Sequence, residues 1–211
     1  MFSEKIYSCP YCEELISILV ACDECLAKLE NFFNSKKLRT RSCDEINAPF
    51  VYDGLVRNAV LSYKFGGRFD SCVSFAFFMK KCFLSKVDLV VAVPSFKNKE
   101  RFKIIKNLVK AFVAQAHLKA SFSVVEKVKE TKRQHECGLD QRLVNLEGAF
   151  KINHRRKVLN KSILICDDIV TSGSTVDEIA GELKKAGAKR VSAIAIAVSR
   201  LILKHGLAKL L

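Results

Sequence analysis

The sequence predicts an α/β protein, a mostly parallel sheet with helices on both faces, led by a small cysteine-bearing module. Three observations predict it. From about residue 46 onward, short apolar runs alternate with stretches of helical period. One apolar run, Ile163 to Cys166, stops at two carboxylates and opens into a loop of small residues and a helix start. Two Cys-x-x-Cys pairs, Cys9/Cys12 and Cys22/Cys25, stand near the amino terminus. The expected division is 1–45 for the cysteine module and linker and 46–211 for the α/β domain.

The cysteine pairs come first. Nine residues separate them, a knuckle spacing in which each pair offers two thiolates from a tight turn. Two such turns complete a tetrahedral S₄ site with no open position, so Cys9, Cys12, Cys22 and Cys25 are expected to hold structural Zn²⁺. Four free thiols in a small core are the competing reading. A redox dithiol at Cys9-Pro-Tyr-Cys12 would need its own strand-helix-strand unit, and only eight residues precede Cys9. Cys43, Cys72, Cys82, Cys137 and Cys166 lack partner spacing and are expected as small buried residues.

Leu26 to Cys43 is polar and charged. Phe50 to Tyr52 reads as a short strand, and Gly54 to Tyr63 as a helix with Leu55, Ala59, Val60 and Tyr63 on one face. Lys64 to Arg68 breaks that helix at Gly66-Gly67. Phe69 to Leu84 is a helix apolar on more than one side. Val87 to Val93 is a strand stopped by Pro94, and Lys99 to Leu118 a long helix facing inward through Leu108, Val109, Phe112 and Val113. Ser121 to Val128 is strand-like, and Lys129 to Gly138 a polar, basic loop. Ile163 to Cys166 is the next strand, Ser174 to Ala186 the helix behind it with Gly187 as its stop, and Lys189 to Val198 the last strand.

Of the 211 residues, 49% are apolar and 27% charged, enough for one ordinary α/β domain with an appendage. The longest apolar runs are far short of a membrane span, and the amino terminus lacks a basic segment followed by an apolar signal core, so the chain is expected in the cytoplasm without membrane insertion. In that compartment nine cysteines read as thiols and metal ligands rather than disulfides. The formal charge is +14, and Lys97 to Lys161 contains 17 basic residues against 6 acidic ones. A field of that sign draws polyanions, whether nucleic acid or phosphorylated small molecules. A solvated basic surface is the plainer reading. Phe96 and Phe102 are candidate exposed rings for stacking against a single strand, whereas Phe112 and Phe122 face the core.

The acid-ended strand is the most informative stretch. Asp167 and Asp168 close a buried strand at the end where open α/β sheets bind ligands. Thr171, Ser172, Gly173, Ser174 and Thr175 add hydroxyls, a permissive glycine and backbone N–H groups at a helix start, which suit a phosphate. A strand end followed by a Ser or Thr cap is the competing account. A receiver domain also places acids after a strand but has no need of this cradle, and no Gly-x-x-x-x-Gly-Lys or Gly-x-Gly-x-x-Gly is present. The segment resembles the phosphoribosyl pyrophosphate (PRPP) loop of type I phosphoribosyltransferases. The resemblance implies that Asp167 and Asp168 hold the ribose hydroxyls, that 171–175 wrap the 5′-phosphate, and that Asp167 steadies positive charge developing on the sugar. Lys64, Lys97, Lys132, Arg133 and Arg142 are the cations available for pyrophosphate and its Mg²⁺.

Over nearly its whole length the chain resembles the ComF family, which joins a four-cysteine module to a phosphoribosyltransferase-like domain. Beyond the cysteines and the loop, the shared residues are Tyr52-Asp53-Gly54, Arg57, Tyr63-Lys64-Phe65-Gly66, Val91-Ala92-Val93-Pro94, Thr131-Lys132-Arg133-Gln134, Arg142, Asn145 and Gly148-Ala149-Phe150. Where that family usually has Arg-Gly-Phe-Asn-Gln, this chain has Arg101-Phe102-Lys103-Ile104-Ile105-Lys106-Asn107, so the side of the site near Pro94 to Lys97, where type I transferases hold pyrophosphate, is altered. The resemblance implies a role in natural transformation: handling incoming single-stranded DNA in the cytoplasm, with DNA-uptake or helicase-type competence proteins as partners, through which the chain would reach the inner face of the cell membrane. The alternative is a phosphoribosyltransferase of nucleobase salvage.

Overall fold

A computed structural model of the chain describes residues 6–17, 20–34, 36–83, 85–95, 98–130 and 146–205. Its centre is a five-stranded, all-parallel sheet in the order β3 (Glu45–Asn47), β11 (Arg190–Ile194), β9 (Ser162–Cys166), β5 (Leu89–Ala92), β6 (Ala120–Ser121). From β5 the chain steps one way to β6 and later returns on the other side as β9, so the strand order reverses between β5 and β9. That reversal leaves a crevice outside the carboxyl ends of the two strands, the usual ligand position in such sheets.

Period-two alternation assigns the strand residues to two cores. Ile163, Ile165 and Val91 face one side, where α5 (Ser174–Lys185) packs through Val176, Ile179, Ala180 and Leu183. Leu164, Cys166, Val90 and Ala92 face the other, covered by α2 (Gly54–Phe65), α3 (Ser71–Cys82) and α4 (Lys99–Ala116). The four residues Ile163 to Cys166 are fully buried, and burying each of the aliphatic three stabilises by about 1.5–3 kcal/mol. The helices therefore lie on both faces, as predicted.

Two predicted strands are each broken in two. Residues 189–198 form β11 and then, past Ala195 and Ile196, β12 (Ala197–Val198), which leaves the main sheet and lies between β10 (Ile169–Val170) and β4 (Phe50–Val51) in a small parallel sheet of its own. Residues 121–128 form the end of β6, a bend, and β7 (Val125–Lys127), which pairs antiparallel with β8 (Phe150–Ile152). An apolar run buried throughout gives no mark of where it changes sheets. The inward face of α2 uses Val56 with Ala59, Val60 and Tyr63, while Leu55 is half-buried. Strand β3, unmarked by periodicity, takes the sheet edge beside β11.

At the amino terminus, β1 (Tyr7–Ser8) and β2 (Leu15–Ile16) form a minimal hairpin, followed by α1 (Asp23–Leu29). A final helix, α6, spans Arg200–His205. Among the described residues, no helix is long and apolar enough to cross a membrane.

Candidate functional site

Strand β9 delivers the acid pair to the crevice. The Asp167 backbone N–H donates to the Ile194 carbonyl and the Asp168 carbonyl accepts from the Ile196 N–H, both at 3.0 Å, so β11 and the segment after it hold the pair's backbone on one side. On the other side Val93 N–H reaches the Cys166 carbonyl at 3.1 Å. Each carboxylate also accepts from the following backbone N–H: Asp168 N to Asp167 Oδ1 at 2.9 Å, and Ile169 N to Asp168 Oδ1 at 2.7 Å.

The two acids differ in surroundings. Asp168 is buried, and its Oδ2 pairs with Lys64 Nζ at 2.6 Å. Asp167 is half-buried at the crevice mouth. Burial first, and the neighbouring Asp168 charge second, push its carboxyl up to about 7, against the pull of the Asp168 N–H, Lys64 and Arg101. The Asp167 carboxyl is therefore protonated more readily than a free aspartate, and in its protonated form it can donate as well as accept. Arg101, in the first turn of α4, sits close enough to act on Asp167 although the sequence marks it only as part of a departure from the ComF pattern.

The loop follows through β10. Gly173 adopts φ 79°, the left-handed region open to glycine, and turns the chain into α5. Ser172 and Ser174 are buried with their hydroxyls 2.9 Å apart, while Thr171 and Thr175 are half-buried. Ser199 Oγ donates to the Thr171 carbonyl at 2.7 Å, which ties the loop to the end of β12. Residues 167–175 thus form one acid-and-hydroxyl rim at the switch point, joined there by Lys64 and Arg101. Lys97, Lys132, Arg133, Arg142 and Phe96 lie outside the described residues, as does Cys137.

Beside this rim, past the end of β5, lies a cavity of about 540 Å³ lined by Pro94, Phe102, Phe122, Lys127, Asn153 and His154, among others. Phe102 is half-buried beneath Lys106 Nζ, 4.4 Å from its ring centre, rather than an exposed ring. Among the described residues the exposed aromatics are Phe33, and Phe65, 81% accessible, with Phe69, 43%, the last two flanking the turn after Lys64. The sequence offered no signal for them beyond the glycines, since an aromatic at a helix end reads as core.

The four cysteines of the amino-terminal pairs converge, with all their sulfurs within 4.8 Å of one another. Cys12 and Cys22 Sγ lie 3.5 Å apart, and tetrahedral ligation at about 2.3 Å per bond would set sulfurs about 3.8 Å apart, so this donor set fits a tetrahedral thiolate-bound metal. Backbone N–H groups already point at sulfur, Cys22 N to Cys9 Sγ and Cys25 N to Cys22 Sγ, each at 3.4 Å. Burial opposes ionisation of Cys9, yet the donors around it win and bring its thiol down to about 7, whereas burial drives Cys22 up to about 11. Of the other described cysteines, Cys43, Cys72 and Cys166 are buried as expected, while Cys82 is half-buried.

Residues 102–202, from within α4 through the acid pair and into α6, match the family described as the phosphoribosyl transferase domain. No curated protein matches the chain. Similar solved structures include a glutamine phosphoribosylpyrophosphate amidotransferase from B. subtilis complexed with ADP and GMP, at 16% identity and TM-score 0.45, covering 64% of this chain and 30% of that one. An allosteric regulatory enzyme of purine biosynthesis is similar over the same shares, at 16% identity and TM-score 0.43. A hypoxanthine phosphoribosyltransferase from Staphylococcus aureus aligns at 17% identity and TM-score 0.35 over 59% of each chain. The chain spans 30% of the length of the first two and 59% of the third.

Proposed function

We propose that this chain binds PRPP with Mg²⁺ at the Asp167–Asp168 crevice, holds Zn²⁺ in its four cysteines, and serves natural transformation as a ComF-type protein handling incoming single-stranded DNA in the cytoplasm. The observation that carries the ligand reading is the placement of an acid pair and a glycine-turned hydroxyl loop at the carboxyl end of β9, beside the point where strand order reverses. In that reading Asp167 and Asp168 accept from the ribose hydroxyls, residues 171–175 surround the 5′-phosphate, and Arg101 serves the pyrophosphate side. Mg²⁺ bound with PRPP supplies charge neutralisation on the pyrophosphate.

The DNA reading draws support from the basic run between Lys97 and Lys161 and from the exposed rings of Phe65 and Phe69 beside the crevice. Ile6 and Leu15 on the cysteine hairpin are 67% and 70% exposed, a small apolar face suited to a competence-protein partner. A second reading, nucleobase salvage, is favoured by the family match itself.

Chromosomal Asp167→Ala/Asp168→Ala separates the two. The first reading expects transformation frequency to fall while growth on salvaged bases is unchanged; lost salvage with normal transformation would overturn it. Calorimetric titration of the purified protein with PRPP and Mg²⁺ tests the ligand, and a product screen against bases tests turnover.

A further inference from the structure

The turn after α2 touches both special regions of the molecule. The last turn of α2 carries Tyr63 and Lys64. Tyr63 is fully buried, donates from its hydroxyl to the Ile104 carbonyl of α4 at 2.6 Å, and meets Phe75 edge-on at 5.6 Å. Phe75 meets Tyr11 edge-on at 6.2 Å, and Tyr11, between Cys9 and Cys12, places its hydroxyl 3.3 Å from Ser74 Oγ. Three aromatic rings thus run from the cysteine module to the residue preceding Lys64.

The second link is Arg68. Gly66 has no room for a Cβ, which would lie 2.7 Å from the Ser62 carbonyl oxygen, and Gly67 has φ 72°, so this pair makes the turn that points Arg68 back at the module. Arg68 Nη2 donates to the Ser8 and Cys9 carbonyls, both at 3.0 Å, and Nη1 lies 3.2 Å from Glu13 Oε1. Its side chain is largely buried. Four residues earlier, Lys64 sits against Asp168.

Resting on the reading of the acid pair as a sugar-phosphate site, we propose that Lys64 is the positioning residue of that pair, and that the four-cysteine module holds Lys64 in place through Arg68 and Tyr11. Two-residue strands cannot hold the Cys9 turn by themselves, so the Ser8 and Cys9 carbonyls stay in reach of Arg68 only while the four sulfurs are gathered on a metal. When they disperse, Arg68 loses its acceptors, the turn relaxes, and Lys64 leaves Asp168. A buried carboxylate stripped of its partner is strongly disfavoured, so Asp168 moves and the pair ceases to match the sugar.

The test uses the full chain, zinc-loaded or chelated, with two readouts: the rate at which Lys64 is acetylated by an amine-reactive reagent, mapped by mass spectrometry, and calorimetric binding of PRPP with Mg²⁺. Lys64 is expected to be protected in the zinc-loaded wild type and to react about tenfold faster after chelation or in Arg68→Gln, with PRPP affinity falling by a similar factor. Arg68→Lys, which cannot span both carbonyls, is expected to fall between. Lys64→Met leaves the module untouched, and should bind PRPP about tenfold more weakly with its zinc content unchanged. Unchanged Lys64 reactivity in chelated protein that retains its far-ultraviolet dichroism, or wild-type affinity in Lys64→Met, would overturn the proposal while leaving the ligand reading intact. If the wild type binds no PRPP yet Lys64 reactivity follows the metal, the coupling stands and the ligand reading fails.

Discussion

The acid-pair rim and the cysteine module solve the same problem, holding several polar atoms close together, by opposite means. At the rim, the atoms ride on a strand buried on both faces and hydrogen-bonded on both edges, which fixes the backbone of Asp167 and Asp168. In the module, two-residue strands and a seven-residue helix supply little regular pairing; Tyr11, Leu29 and the cysteines pack into the core and Arg68 clamps the turn, but drawing four sulfurs together depends chiefly on a metal. The difference teaches where each region will fail. The backbone of the rim should fail only with the domain, whereas the module can unfold by itself and take from the rim only the Lys64 contact to Asp168.

The largest expected effect follows from removing the metal or one ligand. For Cys25→Ser, or for the wild type with a zinc chelator, the free energy at stake is on the order of 10 kcal/mol of local folding. Hydrogen exchange is expected to show amides of residues 6–29 losing protection while those of β9 keep theirs, with zinc content dropping from about one atom per chain. Module amides that stay protected without metal would break the comparison. The mirror experiment is Ile165→Ala, a large-to-small change at a site with no exposure, expected to cost about 2–5 kcal/mol by denaturant unfolding. Its zinc content should be unchanged; a metal deficit there would show that the two regions are not independent in that direction.

How much of this was legible in the residues follows the same division. Cysteine ligation is written in spacing, and Cys9, Cys12, Cys22 and Cys25 converge as their pattern implied. The acid pair and its loop are contiguous, so their order along the chain is also their order in space. Long-range partners are another matter. Lys64 reads as one more cation for pyrophosphate, and only the tertiary placement of α2 brings it to Asp168. Arg68 reads as a polar residue in a turn, and nothing in its neighbours announces two backbone carbonyls some sixty residues earlier. The break at Ala195 and Ile196 was equally silent, because both flanking strands are buried and equally apolar.

A smaller effect probes the charge state of the rim. The folded Asp167 value of about 7 lies above the roughly 3.9 of an unfolded aspartate, so the folded protein binds more proton between those values. Stability on this account falls as pH rises from about 4 toward 7, then levels. Water at the crevice mouth trims the effect, leaving on the order of 2 kcal/mol. Asp167→Asn should flatten that part of the stability-versus-pH curve and be the more stable protein at pH 8. A wild-type slope retained in Asp167→Asn would place the titration elsewhere.

The smallest effect on stability belongs to Phe65, on the turn that joins the two regions. Its ring is 81% accessible, so Phe65→Ala should change unfolding free energy by no more than about 0.5 kcal/mol and leave zinc content and PRPP affinity alone. An exposed ring kept beside an acid-and-cation crevice still has a face to offer, and stacking of one base on an aromatic is worth about 1–3 kcal/mol. Fluorescence anisotropy with a labelled oligothymidylate should therefore show single-strand affinity falling at least several-fold in Phe65→Ala and less in Phe69→Ala, whose ring is half as exposed. Equal affinity in wild type and Phe65→Ala would remove the turn from the DNA path and leave the basic stretch to carry that contact.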